Sequence, residues 1–465
     1  MPAEAVSVAD VAKHTYGQGD VTTLSSRNTF RRQQCFIIAV RSLQGFAVTM
    51  IVVFSLTKSE STPVAMTSLY CSAALCGMAL AASFQEAAVT HLGQPALFAF
   101  RNGCIATGLL LLRNNSGSAA DLAAATMIGA GVVTEWSPVT EMFRRLLSSR
   151  SRWQGIRLWS VAFPVGIIAG ISTAEISDEA TAAAAVISAL CVPAWFFVRP
   201  MSTNSRIAEP KDDSAPERSN STAATLSQVP ENINGPADST ASGPDDCDAV
   251  ECCGGTQDIL QTPFPVGVVI STVGISAVWN IAFNILHVAI RLDSQAAATA
   301  VSVGLVIGTW LLFSVAPRVG YVVGILPFLA LGGTLTIACG LASPTSPLFV
   351  AICMLCGLFT GGVACGTSAL VGELFSDCPD DAARTRVVTV SLFASAILVL
   401  LTGILQPLLR SAETIVMLNS LVFLVGIFAV RAIPGPIISS LGRNDPSDTE
   451  TESERDDILA SIRNP

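Results

Sequence analysis

The strongest constraint on this chain is a series of long apolar runs. Each has about 20 residues, the length that a helix needs to cross a lipid bilayer. The predicted spans are 35–57, 63–84, 93–112, 120–142, 153–174, 180–198, 264–290, 295–316, 319–341, 347–371, 386–408 and 414–432. The sequence therefore predicts an all-α polytopic membrane protein with twelve transmembrane helices.

The composition agrees with a membrane protein. Charged residues make up 13% of the chain, whereas soluble domains have about 25%. The net charge of −9 arises mostly in two polar segments, which we expect to be solvated, and no dense basic patch indicates nucleic-acid binding.

A polar stretch divides the apolar runs into two sets of six. We expect a cytoplasmic leader at 1–34, a six-helix bundle at 35–199, a linker at 200–262, a second bundle at 263–433 and a tail at 434–465. The linker is rich in Ser, Asn, Pro, Asp and Glu, so it cannot build a core and is predicted to be disordered. Only the two bundles are expected to fold.

The cysteines indicate no metal site or cofactor. Most of the 13 Cys lie within apolar runs, where Cys behaves as a small hydrophobic residue. Cys247, Cys252 and Cys253 cluster in the linker, but their spacing matches no zinc motif. We expect reduced thiols there.

The loop charges predict the orientation in the membrane. With both termini in the cytoplasm, most loop arginines and lysines fall on the inner side, and the outer loops hold only Lys58, Arg113, Arg291 and Arg410. This agrees with the positive-inside rule. We expect a multi-pass protein of the plasma or inner membrane that works as a monomer.

The two halves of the chain resemble each other. The segment 129–143 (GAGVVTEWSPVTEMF) aligns without gaps with 361–375 (GGVACGTSALVGELF). The alignment pairs Gly129 with Gly361 and Glu141 with Glu373, and the same offset pairs Arg152 with Arg384. Two repeats related by an axis along the membrane normal occur in transporters.

A second pair of matching segments lies after the second and eighth spans. The short turns 90–93 and 317–320 each place a cationic residue, His91 or Arg318, two positions before Gly93 or Gly320. Glycine suits a tight turn between helices.

Over nearly its full length the chain resembles the major facilitator superfamily. The two turns are similar to that family's signature, although Thr90 and Pro317 replace its Asp and His91 replaces its Arg. The resemblance implies two pseudo-symmetric six-helix bundles, with a gating motif at the inner face that comprises His91, Gly93, Arg318, Gly320, Glu141, Glu373 and Arg384.

Four polar residues within spans of the first half are candidates for function, because ionisable groups there are costly and usually face a cavity or a partner. Arg41, with Gln44 on the same helix side, could bind an anionic substrate or extend to the inner face. Arg101 is expected to have a buried partner. Glu135 could carry a proton or form a structural ion pair.

The seventh span carries a polar stripe. Asn280, Asn284 and His287 follow i, i+4, i+7 spacing beside Trp279, so they are expected on one helix face. Such a face would line a cavity rather than contact lipid. We assign these four residues to the substrate site.

These features favour a secondary active transporter working by alternating access, with a small and anionic solute and with coupling to protons. The alternative is a membrane receptor or scaffold that does not transport, with the linker and tail binding partners. The sequence holds no catalytic constellation that would indicate an enzyme.

Overall fold

The computed structural model describes residues 32–55, 63–114, 118–132, 149–197, 263–291, 294–343, 346–375, 381–409 and 412–433, and these are almost entirely helical. The predicted linker and tail, and the leader up to residue 31, lie outside the described residues.

The described residues of the first half form seven α-helices, which are α1 Arg32–Ser55, α2 Pro63–Ser83, α3 Gln85–Leu92, α4 Gln94–Arg113, α5 Ser118–Gly131, α6 Ser149–Ser172 and α7 Ser177–Ala194. The short α3 continues the second span beyond the predicted end. Gly93 ends it, and Pro95 lies in the first turn of α4, a position that proline tolerates because no helical partner is lost there.

The second half begins with α8 Pro263–Ser276, a π-helical segment Ala277–Ala282 and α9 Phe283–Arg291, which together form the predicted seventh span. It continues with α10 Gln295–Val319, α11 Tyr321–Leu341, α12 Pro347–Leu374, α13 Asp381–Leu409, α14 Ala412–Asn419 and α15 Leu421–Arg431.

The described helices make this an integral multi-pass membrane protein. Ten helices in the described ranges are long and apolar enough to cross a bilayer. The predicted fourth span is described only as far as Val132, and the predicted twelfth is divided at Ser420 into α14 and α15. The described part therefore accounts for ten of the twelve predicted spans as long helices.

The internal repeat is visible in the packing. Helix α5 packs against α2 in the first half, and α12 packs against α10 in the second. A Cβ at Gly129 would overlap the carbonyl of Ala74 on α2, and one at Gly361 would overlap the carbonyl of Leu305 on α10. The two aligned glycines thus allow the same close helix contact in each half, as small residues do in membranes.

The two predicted turns also have matching geometry. Gly93 has φ 80° and Gly320 has φ 83°, and these are the glycines with positive φ among the described residues. Their backbone N–H groups donate to Val89 O at 3.0 Å and to Ala316 O at 2.8 Å. Residues with a Cβ disfavour this backbone region, so both turns require glycine.

Among the described helices, two seams join the halves, α2 with α13 and α6 with α10. In the first, Ser72 Oγ donates to Ala396 O at 2.9 Å, and Gly403 lies against Ser68. In the second, Arg157 of α6 contacts α10. We call the end of the molecule where α1 begins the Arg32 end.

Candidate functional site

A cavity of about 160 Å³ lies between the two halves. Its wall comes from α1, α2, the end of α5 and α6 in the first half, and from α8 with its π segment, α10, α12 and α13 in the second. Helices α4, α7, α11, α14 and α15 contribute no described residue to it. The cavity is close to the roughly 150 Å³ of an engineered cavity that holds benzene.

Arg41, which the sequence analysis assigns to the substrate site, lines this cavity. It lies nine residues into α1, about 13.5 Å along the helix axis from Arg32. Its guanidinium carbon is 4.4 Å from the ring centroid of Trp159 and 4.6 Å from that of Phe163, both on α6. These cation–π contacts stabilise the cation within an apolar wall.

Gln44 holds Arg41 from the same helix. Arg41 Nη1 donates to Gln44 Oε1 at 2.7 Å, and Gln44 Nε2 donates to the carbonyl oxygen of Gly131 at 3.3 Å. Gln44 is buried and does not line the cavity. It therefore positions Arg41 and connects α1 to the end of α5, instead of facing the cavity as the sequence predicts.

Aromatic rings form much of the apolar wall. Trp279, which is also assigned to the substrate site, lines the cavity from the π segment, and its ring centroid is 5.1 Å from that of Phe283. Trp159 and Phe163 were not identified from the sequence, because aromatic residues in an apolar span are as typical of core packing as of a binding site.

Several small polar side chains also reach the cavity and escape sequence reasoning. Ser160 lines the cavity, and 95% of its surface is buried. Its Oγ makes no hydrogen bond with the described residues. Thr309 Oγ1 and Cys365 Sγ lie 3.5 Å apart across α10 and α12. Buried hydroxyls are usually hydrogen-bonded, so Ser160 can hydrogen-bond a solute.

Arg384 also lies in the cavity wall, near the start of α13. Its guanidinium lies beside Gly372 of α12: a Cβ added at that glycine would be 2.8 Å from an Arg384 Nη atom. The sequence assigns Arg384 to an inner-face motif. In the structure a cationic side chain from each half, Arg41 and Arg384, therefore borders one cavity.

The two asparagines of the polar stripe predicted on the seventh span do not line the cavity. Asn280 is buried against other helices. Its side-chain Oδ1 accepts a hydrogen bond from Thr402 Oγ1 at 3.3 Å, and its backbone oxygen accepts one from Asn419 Nδ2 at 3.2 Å. Asn284 is half-buried and outside the wall. The π segment accounts for the difference, because its i→i+5 bonding breaks the helical spacing assumed for the stripe. The side chain of His287 lies outside the described residues.

The remaining predicted site residues lie away from the cavity or outside the described part. Arg101 is buried, and its Nη2 donates to Gln85 Oε1 of α3. His91 and Arg318 are exposed at the two turns. Glu135, Glu141 and the side chain of Glu373 fall outside the described residues. In the described ranges no cluster of His, Cys, Asp and Glu is arranged to hold a metal ion.

Comparison with solved structures identifies the fold. No family model matches the chain, and no curated protein matches it in sequence. The chain is similar to the human organic anion transporter MFSD10, with TM-score 0.56, 14% identity and coverage of 86% of this chain and 99% of that one.

Two further solved structures are similar over the same share of this chain. The nucleoside transporter NupG matches with TM-score 0.56 and 12% identity over 99% of its length. The E. coli fucose:proton symporter FucP matches with TM-score 0.53 and 11% identity over 98% of its length. The chain therefore shares the fold of these three transporters.

Proposed function

We propose that the protein is a secondary transporter that moves a small organic anion across the membrane by alternating access. The observation that carries this proposal is the cavity between the halves, bordered by Arg41 from one half and Arg384 from the other. A guanidinium binds carboxylate or phosphate through a planar fork of N–H donors. No carboxylate side chain lies in the described part of the cavity wall.

The apolar part of the wall sets the size and nature of the solute. Trp159, Phe163 and Trp279 offer ring faces or edges to an apolar group, and Ser160 offers a hydroxyl without a described partner. Binding pockets for small molecules are mostly apolar with a few placed polar groups. A compact carboxylate with one ring or a short chain fits this combination.

The packing supports a cycle in which the halves move relative to each other. Arg384 and its neighbours in the cavity wall come from the first third of α13, which is nearer the Arg32 end. Towards the opposite end, Gly403 of the same helix lies against Ser68 of α2. We propose that this arrangement is the state open to the Arg32 end, that this end is cytoplasmic, and that both termini lie there.

Proton coupling is the simplest source of energy for such a cycle, because no nucleotide-binding motif is present in the sequence. Glu135 is the proposed proton carrier. It follows the cavity-lining Val132 by three positions in the sequence. Protonation of one carboxylate per cycle would couple solute movement to a proton gradient.

Uptake into proteoliposomes tests the proposal. The purified protein is reconstituted with an inward proton gradient and offered benzoate, lactate, benzyl alcohol, uridine and fucose. We expect uptake of a carboxylate above that of protein-free liposomes, faster with the gradient than without it, and no uptake of the neutral compounds above that background. Uptake of neutral solutes alone would contradict an anion transporter. Binding of a carboxylate without flux would favour the receptor hypothesis instead.

A further inference from the structure

The seam between α6 and α10 carries a partly buried arginine. Arg157 Nη2 donates to Phe313 O at 3.0 Å, and its guanidinium carbon is 4.7 Å from the ring centroid of Trp310. One contact is a carbonyl oxygen and the other is an indole ring. Neither is a carboxylate, so among the described residues Arg157 makes no contact with an acidic side chain.

The residues around Arg157 face the surroundings of the protein. Trp310 is 45% exposed, and the exposed fractions of Leu158 and Leu311 are 42% and 41%. On a membrane-spanning helix, such apolar surface contacts lipid acyl chains. An arginine at the edge of this surface is costly unless its charge reaches the interface or meets an anion.

Further arginines occur in the sequences of both helices of the seam. The sequence places Arg150 and Arg152 in the first turn of α6, and Arg318, which is exposed, lies in the last turn of α10. Arg152 precedes Arg157 by five residues on α6, and Arg318 follows Phe313 by five residues on α10. Along each helix axis the two Cα atoms of a pair are therefore about 7.5 Å apart. Because α6 and α10 cross the membrane in opposite directions, both displacements point to the Arg32 end.

The two helices carry no opposing charge. Neither Ser149–Ser172 nor Gln295–Val319 contains an Asp or Glu. We propose that this seam is a binding site for the headgroup of an anionic phospholipid. Its phosphate accepts hydrogen bonds from Arg157 and Arg318, and its acyl chains pack along Leu158, Trp310 and Leu311. Basic pockets between transmembrane helices bind anionic headgroups in this way.

This inference depends on the fold and on the seam, and it is independent of the transported solute. The test uses the full-length protein purified in a neutral detergent. Phosphatidylglycerol and phosphatidylcholine with identical acyl chains are titrated separately, with thermal unfolding and native mass spectrometry as readouts. We expect phosphatidylglycerol to raise the unfolding temperature and to remain bound in the mass spectrum, and phosphatidylcholine to do neither.

The variants Arg157→Gln and Arg318→Gln identify the site. Each is expected to weaken the apparent affinity for phosphatidylglycerol by about tenfold, the equivalent of one hydrogen bond to a charged group. Arg318 is exposed, so replacing it should not disturb folding. Its variant therefore tests the site even where Arg157→Gln fails to fold. Arg431→Gln, at an exposed arginine at the end of α15, is the matched control and should bind as the wild type does.

Inorganic phosphate distinguishes a lipid site from a site for free phosphate. We expect phosphate at the same concentration to leave the unfolding temperature unchanged, because it has no acyl chains to pack on the seam. Equal binding of the two lipids would overturn the proposal. Unchanged affinity in both arginine variants, or stabilisation by phosphate equal to that by the lipid, would do so as well.

Discussion

The guanidinium of Arg41 stacks on the rings of Trp159 and Phe163 and donates a hydrogen bond to Gln44. These contacts fix its position. Lysine would keep the charge but lose the planar fork and most of the ring contact. We expect Arg41→Lys to lower kcat/KM for the transported anion by about tenfold. The measurement is initial uptake in proteoliposomes. Arg113→Lys, at an exposed arginine at the end of α4, should be neutral, and full activity of Arg41→Lys would argue against a substrate role.

Glu135 allows a test of coupling that is separate from substrate binding. Glutamine has nearly the same shape but cannot release a proton. We therefore expect Glu135→Gln to abolish accumulation driven by a proton gradient, while exchange of labelled for unlabelled solute continues. The two rates are measured in the same proteoliposome preparation. Glu141→Gln serves as the control, and coupling that survives in Glu135→Gln but fails in Glu141→Gln would reverse the assignment.

Part of the cavity wall was predictable from the sequence. Arg41 and Trp279 stand out because a charge within a span and an aromatic beside polar residues are unusual, and both line the wall. Asn280 stands out as a polar residue within a span, yet it bonds to Thr402 and Asn419, because a polar residue in a membrane helix can find its hydrogen-bond partners on another helix as well as in a cavity. Ser160 has no such signal, since serine is common in membrane helices.

At the scale of helices, the paired glycines predict a measurable effect on stability. A Cβ at Gly361 would overlap the carbonyl of Leu305, and this backbone atom cannot move as a flexible side chain can. We expect Gly361→Ala to lower the free energy of unfolding by about 1–3 kcal/mol, measured by denaturation in detergent. Gly103, within α4, has open space where its Cβ would be, so Gly103→Ala should be neutral or stabilising by up to about 1 kcal/mol.

The turn glycines give a second prediction at this scale. Gly93 has φ 80° and ψ 160°, a backbone region that is essentially restricted to glycine, and placing a residue with a Cβ there costs on the order of 1–3 kcal/mol. Gly93→Ala and Gly93→Asn should therefore both lower the unfolding temperature, because asparagine tolerates the left-handed helical region but not this extended one. Unfolding temperatures equal to that of the wild type would argue that the conformation of this turn contributes little to stability.

Long helices were predictable and their interruptions were not. Apolar length alone locates α10, α11 and α12 to within a few residues, because the bilayer sets that length. The π segment Ala277–Ala282 and the break at Ser420 carry no such signature. They arise where tertiary contacts fix the backbone, such as the bond from Asn419 to Asn280 O, and local sequence does not encode contacts between residues 139 positions apart.

At the scale of the whole molecule, the two-bundle plan was predictable because it rests on repetition. The similarity of 129–143 to 361–375 indicates two equivalent halves before any contact is known. The contacts between halves were not predictable, because Ser72 with Ala396, and Arg157 with Phe313, join helices that have no related sequence pattern. The cavity and the seams depend on these contacts.

Alternating access requires α2 and α13 to separate where Gly403 faces Ser68, so a covalent bond there should stop transport. The Cβ of a cysteine at position 403 would lie 2.6 Å from the Cβ of Ser68. A disulfide needs a Cβ–Cβ distance of about 3.5–4.5 Å, so the two helices would have to separate slightly to form it. We expect oxidised Ser68→Cys/Gly403→Cys to lose uptake and dithiothreitol to restore it. Ser276→Cys/Ser395→Cys, whose hydroxyls are 3.5 Å apart within the second half, should transport when oxidised. Transport by the first cross-linked variant would exclude movement between the halves at this seam.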